Sequence, residues 1–279
     1  MKKDPFVGPI LKWAGGKRQL LDRILPLIPK HTTYYEPFFG GGAILFGLQP
    51  QKAVVNDINP ELINVYQVIQ RNPEELIRLL RCHDIYNEES YFYKVREVDR
   101  RPEIYAALTP EERAARIIYL NRTCFSGLFR VNQKGMFNTP WGSYDKPGIC
   151  NEEAIWAMHK YLKRTGIRVL CGDYKQALKY VRKTGFVYLD PPYMPVSSAS
   201  FTEYTRNGFG EEQQIELKEQ CDKLNRRGIR FLLSNSSCPF IEDLYRDYII
   251  EQVPAKRAIH IDSRRKGAVK EVLIRNYEL

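Results

Sequence analysis

Short apolar runs alternate with amphipathic segments along most of the chain, and most of the runs end on an acid or a turn residue. Runs of this kind are typical of strands buried in a parallel sheet, and the amphipathic segments between them predict helices. The runs that predict strands are TTYYE, KAVVND, IRVLCGD, GFVYLD, IRFLLSN, DYIIEQV and AVKEVLIRNYEL. The helices are predicted by AILFGL, NPELINVYQVIQ, YKQALKYVRK and residues 211–227, with Gly228 as the stop of the last. This order predicts an α/β fold with a doubly wound sheet.

The middle of the chain has a different pattern. Residues 73–125 read as helical, and one helix has a clear start, because Thr109 can cap it and Glu112 completes a capping box. Residues 126–148 are rich in turn formers and aromatic side chains and have weak periodicity. They predict a loop-rich insertion that contains a hairpin.

One α/β domain, formed by residues 1–58 and 167–279, is therefore predicted to be interrupted by a mostly helical insert at 59–166. The 279 residues, of which 43% are hydrophobic, are enough to bury a core. Unbroken apolar runs stay shorter than the roughly 20 residues that span a bilayer. Asp4 and Gly8 interrupt any signal-peptide core. We therefore expect a cytoplasmic protein without a membrane partner.

The charge of the chain leaves two interpretations open. The net charge is +10, from 43 Lys+Arg against 33 Asp+Glu, which suggests a polyanionic partner. A solvated basic surface explains the charge alone equally well. The six cysteines contain no C-x-x-C pair and the four histidines no H-E-x-x-H pair, so a metal site is disfavoured. We expect the cysteines to be buried, reduced and structural.

A glycine turn follows the first predicted strand. In EPFFGGG, residues Gly40 to Gly42 would let the backbone approach a ligand at the carboxyl edge of the sheet. Asp57 lies 17 positions after Gly40, where acids of dinucleotide folds bind ribose hydroxyls. The full G-x-G-x-x-G is absent, so a nucleoside without phosphates, such as S-adenosylmethionine, fits better than a dinucleotide. A tight turn followed by a helix-capping Asp explains the same residues about as well.

The segment DPPY closes the predicted strand at 186–189. A carboxylate at the end of a central strand lies at the usual ligand crevice, which makes Asp190 a candidate site residue. Pro191 and Pro192 fix the backbone and offer carbonyls without N–H groups. Tyr193 adds a flat ring. An acceptor-rich pocket with an aromatic wall suits the exocyclic amino group of a planar base, and it would aim the nitrogen lone pair at a sulfonium methyl. A plain strand end at a proline turn is the alternative.

These motifs together resemble the DNA N6-adenine methyltransferases of the Dam type, including GATC-specific methylases of restriction–modification systems. The resemblance runs nearly end to end, in the motif order of the alpha group. It is carried by LKWAGGKRQLL, EPFFGGG, NDINPELIN, YLNRTCFSGLFRVNQKGMFNTPWGSY and YLDPPY. It implies a Rossmann-like class I sheet that binds S-adenosylmethionine, with a helical DNA-recognition insert. The implied reaction is direct methyl transfer to N6 of an adenine flipped out of double-stranded DNA.

The resemblance also implies site residues. The catalytic tetrad would be Asp190, Pro191, Pro192 and Tyr193. S-adenosylmethionine would be bound by Trp13, Lys17, Glu36, Phe38, Gly40, Gly42, Asp57, Asp173 and Asp190. DNA would be bound by Lys12, Phe125, Leu128, Arg130, Asn132 and Pro140. Arg130 would read a guanine through O6 and N7. Phe125 and Leu128 would wedge into or pack on the base stack, and for Phe125 a core aromatic at a helix end is a nearly equal alternative.

Charge in the insert fits the same expectation. Residues 114–148 contain a single acid, Asp145, and five basic residues, namely Arg116, Arg122, Arg130, Lys134 and Lys146. The basic stretch at 263–267 is expected to touch phosphates. Ser143 departs from relatives that carry an arginine there, which puts one phosphate contact in doubt.

Two other functions stay open from the residues. An N4-cytosine or RNA adenine methyltransferase would use the same acceptor pocket, although Asp190 favours adenine over cytosine. A sequence-specific DNA-binding protein that has lost catalysis is the other, and the intact DPPY argues against it. We expect a monomer in solution, with a cognate restriction endonuclease as a possible partner.

Overall fold

The computed structural model describes residues 3–164, 166–195, 209–255 and 269–279. The strands are β1 (Tyr34–Glu36), β2 (Ala53–Asp57), β3 (Ile167–Cys171), β4 (Phe186–Leu189), β5 (Arg230–Ser236), β6 (Ile249–Ala255) and β7 (Val269–Arg275). The helices are α1 (Leu21–Ile24), α2 (Ala43–Leu48), α3 (Pro60–Arg71), α4 (Pro73–Ile85), α5 (Glu89–Arg96), α6 (Pro102–Ala107), α7 (Pro110–Thr123), α8 (Glu152–Leu162), α9 (Tyr174–Lys179), α10 (Glu211–Arg226) and α11 (Pro239–Leu244). Short 3₁₀ helices cover Lys17–Leu20, Leu25–Leu27, Glu97–Arg100 and Phe125–Gly127.

Contacts divide the chain into two compact units. The first unit consists of Met1–Gly16, Gly40–Gln49 and Asn59–Cys171. The second unit consists of the three other segments, Lys17–Phe39, Pro50–Ile58 and Gly172–Leu279.

The second unit contains a mostly parallel sheet. Its strands lie in the order β2-β1-β4-β5-β7-β6. The pairs β1–β2, β1–β4 and β4–β5 are parallel, and β7 runs antiparallel to both β5 and β6. Strands β1 and β4 are buried along their whole length, which explains the unbroken apolar sequence of β4 and the two tyrosines that precede Glu36 in β1. Because β2 and β5 lie on opposite sides of the β1–β4 pair, the chain order changes direction there, as it does at the ligand crevice of Rossmann-like folds.

The first unit is mostly helical. Helix α7 packs against α3, α4 and α5, and α8 packs against α3 and α4. The predicted start of α7 is confirmed, since Thr109 and Glu112 form a capping box. After α7 comes an irregular segment with two isolated antiparallel bridges, Cys124↔Trp141 and Val131↔Phe137. We call residues 128–139 the hairpin. The predicted loop-rich insertion with a hairpin is therefore confirmed.

Most sequence predictions of elements agree with the structure. The helix predicted by YKQALKYVRK stops at Lys179. Gly228 does follow α10, with φ of 67°, a conformation that glycine adopts without strain. None of the six cysteines, all of which lie in the described residues, forms a disulfide. Only three of them are buried, and Cys171 is exposed because it ends β3 at the surface. No helix in the described part of the chain is long and apolar enough to cross a membrane.

Candidate active site

Three acids lie at the carboxyl ends of neighbouring parallel strands in the second unit. Glu36 ends β1, Asp57 ends β2 and Asp190 follows β4. Glu36 is only 2% exposed and accepts a hydrogen bond from the Tyr34 hydroxyl at 3.0 Å, whereas Asp57 is half-buried. This edge of the sheet therefore presents carboxylates, which suit hydroxyl, amino and cationic groups of a ligand.

The Asp190 carboxylate is held through one of its oxygens. Oδ1 lies 2.8 Å from the Lys17 ammonium and accepts a hydrogen bond from the Ser234 hydroxyl at 2.7 Å. Ser234 is fully buried in β5, and its Oγ also lies 3.0 Å from the Tyr188 hydroxyl. Lys17 is 4% exposed. Within the described residues, Oδ2 accepts no hydrogen bond from the protein. One carboxylate oxygen therefore sets the orientation, and the other is available to a ligand.

The Tyr193 side chain is fixed at both ends. Its hydroxyl donates to Glu271 Oε2 at 2.7 Å, and the Lys17 ammonium lies 4.6 Å from the centroid of its ring. Burial of the phenol, followed by the nearby Asp190 and Glu271 carboxylates, raises the pKa of Tyr193 well above its usual value. The hydroxyl therefore stays protonated and acts as a donor to Glu271. Lys17 links the acid and the aromatic ring of the DPPY segment.

Aromatic and amide side chains surround the turn after β1. The half-buried Phe38 ring stacks on Tyr174 with centroids 4.9 Å apart. Asn56 donates from Nδ2 to the carbonyls of Pro37, at 3.1 Å, and Gly172, at 2.8 Å. Asp173 is exposed, and its carboxylate caps α9 by accepting from the Lys175 N–H. Asp173 therefore has a structural partner, and a role in binding a ligand would be additional.

The glycine turn of the first unit packs against Trp13. Gly40 and Gly42 have φ of 49° and 71°. A Cβ added at Gly40 would lie 3.1 Å from Trp13 Cδ1, and one at Gly41 would lie 3.2 Å from Trp13 Cβ. Trp13 also stacks on Phe129, with centroids 4.8 Å apart. The close approach of the indole, together with the positive φ of Gly40, gives a packing reason for these glycines.

The exposed Arg130 guanidinium is steadied by Asn138 across the hairpin. Its Nε donates to Asn138 Oδ1 at 2.8 Å, and the Asn138 N–H donates to the Arg130 carbonyl at 3.0 Å. Asn132 has a structural role in the same hairpin. Its side-chain oxygen accepts from the backbone N–H groups of Lys134 and Met136, so it shapes the turn of the hairpin.

Phe125 is 61% exposed, so it is not a core aromatic. Its backbone N–H donates to the carbonyl of the exposed Pro140 at 2.8 Å, which holds the two residues together. Leu128 is half-buried, and its carbonyl accepts from the Thr139 hydroxyl at 2.6 Å. Hydrogen bonds therefore hold the backbone that carries the exposed Phe125 ring.

The exposed Lys12 belongs to the same unit, and its backbone is held by Asn121. The Asn121 amide accepts from the Lys12 N–H at 2.8 Å and donates to its carbonyl at 2.9 Å. Gly127 passes so close that an added Cβ would clash with the Lys12 side chain. Lys12 thus has a fixed backbone and an ammonium 5.4 Å from the centroid of the Tyr144 ring.

Arg116 is not part of a basic surface, contrary to the expectation from the charge count. It is 3% exposed, pairs with Asp99 at 2.9 Å and donates to the Val95 carbonyl at 2.9 Å. A guanidinium satisfied in this way inside the helical unit cannot reach phosphate. The expected phosphate-binding stretch at 263–267 lies outside the described residues.

Comparison with known proteins decides the family. The model of the D12 class N6 adenine-specific DNA methyltransferases matches residues 13–259, which is most of the chain. The chain belongs to this family. It is therefore an adenine-specific DNA methyltransferase, and the resemblance found from the sequence motifs is confirmed.

Curated relatives match this D12 methyltransferase over nearly its whole length. The Type II methyltransferase M1.LlaDCHI of Lactococcus lactis subsp. cremoris is 44% identical, over 96% of this chain and 95% of the relative. The Type II methyltransferase M.MjaIII of Methanocaldococcus jannaschii is 38% identical, over 97% and 99%. The DNA adenine methylase of Escherichia coli K12 is 32% identical, over 94% and 93%.

Several side chains of the D12 methyltransferase that hold its candidate site residues were not singled out from the sequence. They act through tertiary hydrogen bonds rather than through a motif. These residues are Asn56, Asn121, Asn138, Gln214, Ser234, Asn235 and Glu271. The only signal available was the placement of polar residues where apolar ones are expected, as in the SNS end of β5.

Proposed function

We propose that this D12 methyltransferase transfers a methyl group from S-adenosylmethionine to N6 of an adenine flipped out of double-stranded DNA, within the sequence GATC. The proposed role is DNA marking or protection in a restriction–modification system, with a cognate endonuclease as partner. The observation that supports this chemistry is the arrangement around the Asp190 carboxylate. Its Oδ1 is held by Lys17 and Ser234, while its Oδ2 accepts no hydrogen bond from the described residues.

The target amine would donate its two hydrogens to Asp190 Oδ2 and to the Pro191 carbonyl. The Pro192 carbonyl is a poorer acceptor, because it already accepts from the Gln214 amide at 2.9 Å. In the described part of the chain the Pro191 carbonyl accepts no hydrogen bond. Two acceptors placed in this way would hold both amine hydrogens. The nitrogen lone pair would then stay out of the π-system of the base and point toward the methyl group. The base would stack on the Tyr193 face opposite Lys17.

The residues present fit S-adenosylmethionine. Glu36 and Asp57 supply carboxylates from adjacent strand ends, and the stacked, half-buried Phe38 supplies an apolar face. Asp57 would accept from ribose hydroxyls, and Asp173 would contact the adenine of the cofactor. When bound, the cofactor supplies an electrophilic methyl group on a sulfonium. The roles of Trp13, Gly40 and Gly42 are proposed on the resemblance.

Residues 59–166 would recognise the DNA. Arg130 is exposed, and its Nε and Nη2 contact the side-chain and backbone oxygens of Asn138. Its Nη1 contacts neither oxygen, which leaves N–H groups of the guanidinium to donate to a guanine. The exposed Phe125 would support the DNA where the adenine leaves the stack. Lys12, Leu128, Asn132 and Pro140 would contribute contacts nearby on the DNA, Asn132 by shaping the turn of the hairpin.

The test uses tritiated S-adenosylmethionine and two duplexes that differ only in having GATC intact or scrambled. After transfer, the DNA is digested to nucleosides and the labelled base is identified. We expect label in N6-methyladenine on the GATC duplex only. Label on both duplexes would overturn the GATC assignment, and label in cytosine would overturn the acceptor. DNA binding without any label would indicate a DNA-binding protein that lacks catalysis.

A further inference from the structure

Two buried amide side chains outside the DPPY segment hold the backbone on both sides of Tyr193. Gln214 Nε2 donates to the Pro192 carbonyl at 2.9 Å. Asn235 Oδ1 accepts from the Met194 N–H at 3.1 Å, and Asn235 Nδ2 donates to Gln214 Oε1, also at 3.1 Å. Both side chains have no exposed surface. The two amides therefore form a continuous buried bridge between one carbonyl and one N–H of the same short segment.

This bridge fixes the conformation of Tyr193. The peptide plane before Tyr193 contains the Pro192 carbonyl, and the plane after it contains the Met194 N–H. Because each plane is bonded to one amide, rotation about φ or ψ of Tyr193 would break a buried hydrogen bond. The hydroxyl bond to Glu271 fixes the far end of the ring. Proline rings already restrict φ at the two preceding positions.

A third bond supports the same segment. The fully buried Ser236 hydroxyl donates to the Met194 carbonyl at 2.5 Å. Ser236, Asn235 and Ser234 are consecutive in β5, and Gln214 projects from α10. Strand β5 and helix α10 thus direct buried polar groups to the backbone at Pro192 and Met194, on either side of Tyr193.

We infer that Gln214 and Asn235 are positioning residues for methyl transfer, which set the Tyr193 ring and the backbone that directly follows the acceptor carbonyl of Pro191, without touching the substrate. The inference rests on the proposed function, because it requires that the tetrad bind the target amine. Displacing reacting groups by about 1 Å costs on the order of 100-fold in rate. The pair needs amides, because Gln214 must donate and accept at the same time.

The decisive variant is Gln214→Glu in the full chain. An ionised carboxylate cannot donate to the Pro192 carbonyl, whereas a protonated one can. We expect the single-turnover rate at neutral pH to fall about 10- to 100-fold, with binding of S-adenosylmethionine and of duplex DNA unchanged. The ratio of variant to wild-type rate is expected to rise as pH is lowered. A purely structural role would lower the melting temperature without this pH-dependent recovery.

Three further variants distinguish a positioning role of Gln214 from a general effect of the added charge and from a failure of the proposed site. Gln214→Met has no proton to gain, so its rate is expected to be low at every pH. Gln220→Glu adds the same charge to α10 at a position without these bonds, and it is expected to behave as wild type. Asp190→Ala tests the proposed function itself.

If Asp190→Ala is inactive while Gln214→Glu and Gln214→Met turn over like wild type, the positioning role is wrong and the proposed site stands. If Asp190→Ala turns over normally, the proposed site fails first, and the inference with it. A uniform rate loss in Gln214→Glu that is independent of pH would also refute donation to Pro192.

Discussion

The DPPY segment of the second unit and the hairpin of the first unit are built in opposite ways. Side chains from several elements, most of them buried, hold the DPPY segment and the adjoining Met194. Nearly all of these hydrogen bonds are made to the backbone or to the Asp190 carboxylate. In the hairpin, the exposed Arg130 has a single side-chain partner, and the strands meet at one bridge. The first region is fixed by its surroundings, and the second is fixed mainly by itself.

This difference matches the proposed tasks. Methyl transfer depends on acceptors that do not reorganise during the reaction, and burial strengthens the bonds that hold them. Reading a base edge in a groove requires a long side chain that reaches out of the protein, so Arg130 has to be exposed. The hairpin is nevertheless anchored, because the Phe137 N–H donates to Asp99 at 2.8 Å and Asp99 pairs with the buried Arg116.

The largest effect is expected for Asp190→Ala. Removing the carboxylate removes the acceptor for the target amine, so methylation is expected to fall about 1000-fold or more. DNA binding, measured by fluorescence anisotropy, is expected to stay close to wild type. Asp243→Ala, at an exposed acid of the same unit, is the matched control. Near-normal turnover by Asp190→Ala would show that the fixed segment is not the site of the chemistry.

Asp99→Ala tests the anchor of the hairpin. The change leaves the buried Arg116 without its carboxylate and the Phe137 N–H without its acceptor. We expect a loss of about 3 kcal/mol in the free energy of unfolding, measured by urea denaturation. Asp243→Ala, whose partner Arg246 is exposed, is expected to leave stability unchanged. Equal stability of Asp99→Ala and wild type would mean that the hairpin is held without this anchor.

Arg130→Ala tests the reading side of the comparison. We expect discrimination at one guanine to fall by about 1–3 kcal/mol, measured as the ratio of kcat/KM for duplexes that differ at that base pair. Lys134→Ala, in the turn of the same hairpin, is expected to weaken binding to all sequences alike. An unchanged preference in Arg130→Ala would assign recognition to another residue.

The smallest effect is expected for Thr109→Ala. It removes the cap of α7, the helix that leads into the hairpin, and is expected to cost about 1 kcal/mol in stability. Catalysis and sequence preference should be unchanged, because the cap lies at the far end of the helix. A change in sequence preference would show that the conformation of the hairpin depends on the stability of α7. The hairpin would then be fixed by its surroundings, as the DPPY segment is.

The strand pattern and the capping box of α7 could be predicted from the sequence because they depend on local periodicity and on neighbouring residues. DPPY could be recognised because its residues are consecutive. Arg116 could not be placed correctly, since its burial depends on Asp99, a residue 17 positions earlier that meets it only in the folded chain. The choice for Phe125 between core and surface likewise required the tertiary structure.

The sequence alone determined the α/β class, the strand-end carboxylates and the family, because these follow from local patterns and contiguous motifs. The tertiary structure decided which side chains hold those groups. Ser234 reaches Asp190 because β5 lies beside β4, and Glu271 reaches Tyr193 because β7 lies beside β5. Such contacts join residues far apart in the chain, and their partners are selected by strand order and register rather than by any local pattern.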